Sequence, residues 1–106
     1  MAEALILEFD GVGREQYDAV NKRLGIDMAS GEGDWPEGML SHTAGAKADG
    51  WVVFEVWESR GAQGQFMNER LGQALQEGGI TEPPARVEWI DVVSNYSPGA
   101  YLPGDG

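Results

Sequence analysis

In residues 2–10, AEALILEFD, Leu5, Leu7 and Phe9 fall on one face and Ile6 and Glu8 on the other. An alternation of period two predicts a strand. After Gly11-Val12-Gly13 the period changes. Tyr17, Val20 and Leu24 lie three and four apart, which predicts a helix over 14–24 ended by Gly25. Residues 26–37, IDMASGEGDWPE, carry no period and read as a loop. Trp35 stands alone in that loop, as a plug over a core edge or as a lid over a pocket.

The alternation returns in residues 38–58, GMLSHTAGAKADGWVVFEVWE, which read as one β-hairpin turning at Asp49-Gly50. In its second strand Val52, Phe54 and Val56 face one way, and Trp51, Val53, Glu55 and Trp57 the other. Both faces are largely apolar, so both need cover. Residues 59–77 predict a second helix with Ser59 as N-cap and Phe66, Met67, Leu71, Ala74 and Leu75 as its buried stripe. Gly61, Gly64 and Gly72 weaken it by about 1 kcal/mol each relative to alanine, so packing must compensate. Gly78-Gly79 stops the helix, and residues 86–96, RVEWIDVVSNY, read as a last strand.

The order β-α-β-β-α-β is that of a ferredoxin-like α+β domain with a four-stranded antiparallel sheet. It spans residues 1–96 and leaves 97–106 as an irregular Pro/Gly-rich tail. Both helices cover one face of such a sheet. The other face is expected to carry exposed tryptophans and valines, which fits two copies packing sheet to sheet as a homodimer.

Composition narrows the function. With 18 acids against 7 bases the net charge is −11, which disfavours nucleic acid and anionic membranes as partners. There is no apolar run near 20 residues and no basic-then-apolar leader, so a soluble, cytoplasmic protein is expected. The absence of cysteine excludes disulfides, thiolate zinc sites and thiol catalysis. No phosphate-binding loop, hydrolase triad or metal-ligand spacing is apparent, and no metal or cofactor is expected.

What chemistry there is gathers in the hairpin. His42 is the only histidine and the only side chain whose unperturbed pKa lies near neutrality. It is either an acid/base or a histidine hydrogen-bonded at a strand edge or subunit contact. Trp51 and Trp57 share a face on which a planar aromatic ligand would stack, or else they fill the core. Glu55 between them must be paired, hydrated or protonated. Arg86 is a candidate partner. An unpaired Glu55 would instead be an acid or base of raised pKa.

The segment SHTAG, a tight turn, GWVVFEVWES and then a helix with F-x-x-x-x-L-x-x-A-L resembles the dimeric α+β barrel superfamily, in its antibiotic-biosynthesis-monooxygenase-like group. The resemblance covers about residues 2–96. It implies a homodimer with a pocket in each subunit between sheet and helices. The characterised monooxygenases of this group oxidise anthrones or quinols with O₂ and need no metal or flavin. In them an Asn and a Trp four residues later on the third strand bind and activate the substrate. Trp57 matches that Trp, and Val53 stands at the Asn position. Haem-degrading relatives carry an axial His on the second helix, which here has none; Met67 falls at about that place. The resemblance therefore implies a cofactor-independent oxidoreductase acting on a polycyclic aromatic or quinol-like molecule. His42 would be its acid/base and Trp57 its stacking platform, with Tyr17 or Glu55 assisting. Trp35, Trp51, Val53, Phe66 and Met67 complete the expected pocket. The other class open to this chain is a non-catalytic ligand-binding or dimerisation module.

Overall fold

The N-terminal alternation becomes β1, Glu3–Asp10, in a computed structural model that describes residues 2–99 and Tyr101. Leu5, Leu7 and Phe9 are buried, as the pattern requires. Helix α1, Arg14–Leu24, follows, and its Val20 and Leu24 are buried against the sheet. The Gln16 side chain accepts from the Gly13 backbone N–H at 3.0 Å and fixes the helix start.

Residues 26–37 are not a featureless loop. They contain a short hairpin, β2 (Ile26–Asp27) with β3 (Glu32–Gly33). Its turn is held by the Asp27 carboxylate, which accepts from the Ala29 N–H at 2.9 Å and the Ser30 hydroxyl at 2.8 Å. Such turns are stabilised by local side-chain bonds and have no hydrophobic period to betray them.

The long hairpin is β4, Met39–Lys47, with β5, Gly50–Trp57. The turn sits one residue earlier than expected: Ala48 and Asp49 form it, with Asp49 in the left-handed region at φ 60°. Gly50 already belongs to the strand, where a Cβ would stand 2.2 Å from the Phe9 carbonyl oxygen. The glycine permits the close approach of β1.

The second helix spans the expected residues in three pieces: α2 (Arg60–Phe66), a π-helical turn (Met67–Leu71) and α3 (Gly72–Glu77). Ser59 caps it, accepting from the Ala62 N–H at 3.1 Å. Phe66 and Ala74 are buried, whereas Met67, Leu71 and Leu75 are only partly so. The last strand, β6, is shorter than expected and ends at Asp91. Its partner runs out there, since Asp91 pairs with Glu3 at the start of β1. Val93 and Tyr96 beyond it are 98% and 88% exposed. Of the expected tail, residues 97–99 and Tyr101 form no regular element; the rest lies outside the described residues.

The sheet is antiparallel, in the order β4-β5-β1-β6. This is the expected ferredoxin-like α+β arrangement. The tryptophans, however, are not on its bare face. Trp51, Val53, Glu55 and Trp57 are all buried on the side of Leu5, Leu7 and Phe9, under the helices. The alternation separated the two faces but did not say which one the helices cover. The bare face carries Ile6, Val52, Phe54 and Ile90 instead, with Phe54 38% and Ile90 40% exposed. No helix among the described residues is long and apolar enough to cross a membrane.

Candidate functional site

Between the helix-facing side of the sheet and the helices lies a cavity of about 390 Å³, within the range of small-molecule sites. Its floor is Leu7, Phe9, Trp51 and Val53 of the sheet. α1 contributes Tyr17, Val20 and Leu24. The second helix contributes Phe66, Met67, Leu71 and Leu75, the residues of its apolar stripe that are not fully buried among them. That partial burial has a cause: the stripe faces a cavity and not solid core. Exposed Gln76 and Thr81–Pro83 line one end, and Trp35, Pro36 and Met39 another part of the wall.

Into these apolar walls the fold sets one polar chain. The β4–β5 register pairs His42 directly with Glu55. His42 Nδ1 lies 2.9 Å from Glu55 Oε2, and His42 Nε2 lies 2.6 Å from the Tyr17 hydroxyl. The other Glu55 oxygen, Oε1, accepts from Trp57 Nε1 at 3.0 Å. A carboxylate only accepts. With a neutral imidazole, Nδ1–H therefore donates to Glu55, and Nε2 accepts from the Tyr17 O–H.

Tyr17 comes from α1 and reaches across the cavity roof. Its ring is nearly parallel to that of His42, at 8° and 6.0 Å between centroids, and rests against Trp51 at 5.1 Å. Met28 Sδ of the small hairpin lies 3.7 Å from its hydroxyl. Burial pushes the Tyr17 phenol well above the ordinary tyrosine range, with Asn21 pulling the other way. Tyr17 therefore stays a neutral hydroxyl through the physiological range. Trp35 donates its indole N–H to the Gly31 carbonyl at 2.8 Å and holds its ring 5.5 Å from His42. It lines the wall beside the imidazole.

Most of the residues expected at a pocket do line this one: Tyr17, Trp35, His42, Trp51, Val53, Glu55, Phe66 and Met67. Trp57 does not. It is fully buried behind the wall, tilted against Phe66 at 5.8 Å, and its polar contact is to Glu55. It is therefore no platform for a ligand in the cavity. Arg86 does not pair with Glu55 either. It lies on the opposite face of the sheet and binds Glu8 at 2.8 Å and also Glu88. Asn21 and Met28 line or approach the site and were not anticipated. Asn21, one helical turn after Tyr17 on the same face, was readable from spacing; Met28, in a segment without period, was not. Trp51 Nε1 is buried without a hydrogen-bond partner among the described residues. No group of three or more His, Asp or Glu among the described residues is placed to hold a metal ion.

No protein-family profile matches the sequence, and no curated protein matches it. Solved structures do. A Chloroflexus aurantiacus protein provisionally named an antibiotic biosynthesis monooxygenase superposes with a TM-score of 0.64 at 18% identity, over 93% of this chain and 100% of its own. Rv0793 from Mycobacterium tuberculosis gives 0.63 at 19% identity, over 92% and 100%. SnoaB from Streptomyces nogalater, described as a cofactor-independent oxygenase and solved as an asparagine-to-alanine mutant, gives 0.56 at 14% identity, over 89% and 95%. These likenesses establish the fold: the chain has the α+β ferredoxin-like fold of antibiotic-biosynthesis-monooxygenase-type proteins.

Proposed function

We propose that this chain is the protomer of a small pocket enzyme of the cofactor-independent monooxygenase type, acting on a hydroxylated polycyclic aromatic or quinol-like molecule. The observation that carries this reading is the Tyr17–His42–Glu55 chain at the wall of a largely apolar cavity. Apolar walls bury flat rings, and a single polar chain is enough to take one proton. Proton removal raises the electron density of a hydroxyaromatic ring. The anion then supplies its own electrons to O₂. In the anthrone case a ring CH₂ becomes C=O, with one oxygen atom retained and the other leaving as water.

His42 is the proton store of this scheme. A positive charge arriving on its imidazole faces the Glu55 carboxylate at 2.9 Å. In a water-poor setting such a pair attracts more strongly than at the surface. Trp51 and Phe66 supply aromatic wall against which the ligand rings lie. The working unit in this proposal is a homodimer joined through the bare sheet face.

A second reading, a non-catalytic ligand-binding or dimerisation module, is favoured by one residue. Val53 lies in the cavity wall where the resemblance calls for Asn, and valine cannot hydrogen-bond an oxygen intermediate. Oxygen uptake with anthrone, in chelator-treated protein, separates the two. Consumption that falls at least about 100-fold in His42→Ala with the fold retained is the expected result. Saturable binding without uptake would favour the binding module. Uptake that persists in folded His42→Ala would overturn the role of His42.

A further inference from the structure

His42 has no ring nitrogen left for a substrate. Nδ1 is engaged by Glu55 and Nε2 by the Tyr17 hydroxyl, at 2.9 and 2.6 Å. A base whose lone pair already holds another hydroxyl's proton cannot accept directly without breaking that bond. The Tyr17 hydroxyl can accept, because an oxygen that donates its proton keeps its acceptor lone pairs. Tyr17 also lines the cavity.

We infer that the Tyr17 hydroxyl oxygen is the atom that takes the proton of a hydroxyaromatic substrate, handing its own proton to His42 Nε2. This rests on the cavity-enzyme reading above and specifies which atom meets the ligand. The step balances. The substrate O–H bond breaks as a new O–H bond forms on Tyr17. The original Tyr17 O–H bond breaks as an N–H bond forms on His42. The products are a substrate anion, an unchanged neutral tyrosine and an imidazolium facing Glu55.

Coupling of the two transfers follows from the surroundings of the phenol. A free tyrosinate is disfavoured at this partly buried position against Trp51 and His42, so Tyr17 does not ionise first and wait. Glu55 completes the chain because its second oxygen is held by Trp57, leaving Oε2 aimed at the imidazole. The ligand that suits this arrangement presents an acidic aromatic hydroxyl beside Tyr17 and otherwise apolar rings.

4-Nitrophenol tests the inference, because its anion absorbs at longer wavelength than its neutral form and reports ionisation apart from turnover. The measurement is made below the pKa of the free probe, on the wild-type protein and on Tyr17→Phe. The substitution removes one oxygen and keeps the ring against Trp51. Expected are a clear excess of bound anion in the wild type, and in Tyr17→Phe saturable binding of lower affinity with at least tenfold less bound anion. Wild-type ionisation in a folded Tyr17→Phe protein would overturn the relay in favour of direct transfer to His42. Binding to the wild type without ionisation would also overturn it, while leaving the cavity reading standing. No binding would overturn both. A measurement without any variant covers the case in which Tyr17→Phe fails to fold. The rate of probe ionisation in mixtures of H₂O and D₂O should follow a curved, two-proton dependence, and a linear one would overturn the relay.

Discussion

A carboxylate on an apolar strand face is costly to bury unless its oxygens are engaged. Glu55 is buried, and both oxygens are engaged, one by His42 and one by Trp57. The sequence posed the question, since a glutamate stood between two tryptophans. It did not answer it: Arg86 was the partner suggested on paper, and strand register is not fixed by the sequence. The register decides: it sets His42 directly opposite Glu55 and puts Arg86 on the other face. The same logic reassigns Trp57. Trp57→Phe removes an N–H donated to a charged group, and the expected cost is about 2 kcal/mol of stability. Because Trp57 does not line the cavity, binding of 4-nitrophenol should persist in Trp57→Phe, while ionisation of the bound probe falls as Glu55 loses its anchor and affinity falls only as far as that lost ionisation requires. Fluorescence or absorbance titration checks this. A large loss of affinity with full ionisation would restore Trp57 as a stacking platform.

Helices and long strands were legible because their periods are long enough to count. The span of the second helix was legible too, but its π-helical turn was not, although the turn helps shape the cavity wall through Met67 and Leu71. π-Turns are frequent at functional sites. Arg70, inside this turn, ties three elements together. Its guanidinium donates to the Leu24 carbonyl at the end of α1 at 2.8 Å and to the Asp34 carbonyl after β3 at 2.7 Å. It thereby fixes the segment that leads into Trp35. Arg70→Met keeps an unbranched apolar stem and loses those bonds. The expected outcome is a loss of about 2 kcal/mol, roughly 10 °C in Tm, with faster proteolysis near residues 31–36. An unchanged melting curve would show that the small hairpin is held by other contacts. Gly31 is a second constraint there. Its φ is 78°, and a Cβ would come within 2.3 Å of the Tyr101 ring.

For the molecule as a whole, the bare sheet face is the feature that a monomer explains least well. Ile6, Val52, Phe54 and Ile90 share it, in a chain of net charge −11. The expectation of an apolar uncovered face came from the alternation in β5 and holds for Val52 and Phe54. It does not hold for the tryptophans, because alternation is blind to which side the helices take. Sheet-to-sheet pairing would bury these side chains and leave the acidic residues to repel at the rim. Dimerisation in this proposal is therefore strengthened by salt, which screens like charges beyond about 10 Å at 0.1 M. Sedimentation velocity should give a dimer for the wild type and a folded monomer for Phe54→Glu. A wild-type monomer at all salt concentrations would end the homodimer proposal.

The central claim is that a proton from a hydroxyaromatic ligand arrives on His42, and this histidine is the only one in the chain. Its imidazole ¹⁵N resonances therefore need no assignment. They should be recorded near neutral pH, without ligand and with saturating 4-nitrophenol. The account predicts a protonated Nδ1 and a bare Nε2 in the free protein, and both nitrogens protonated in the complex. A saturated complex in which Nε2 remains bare would contradict it.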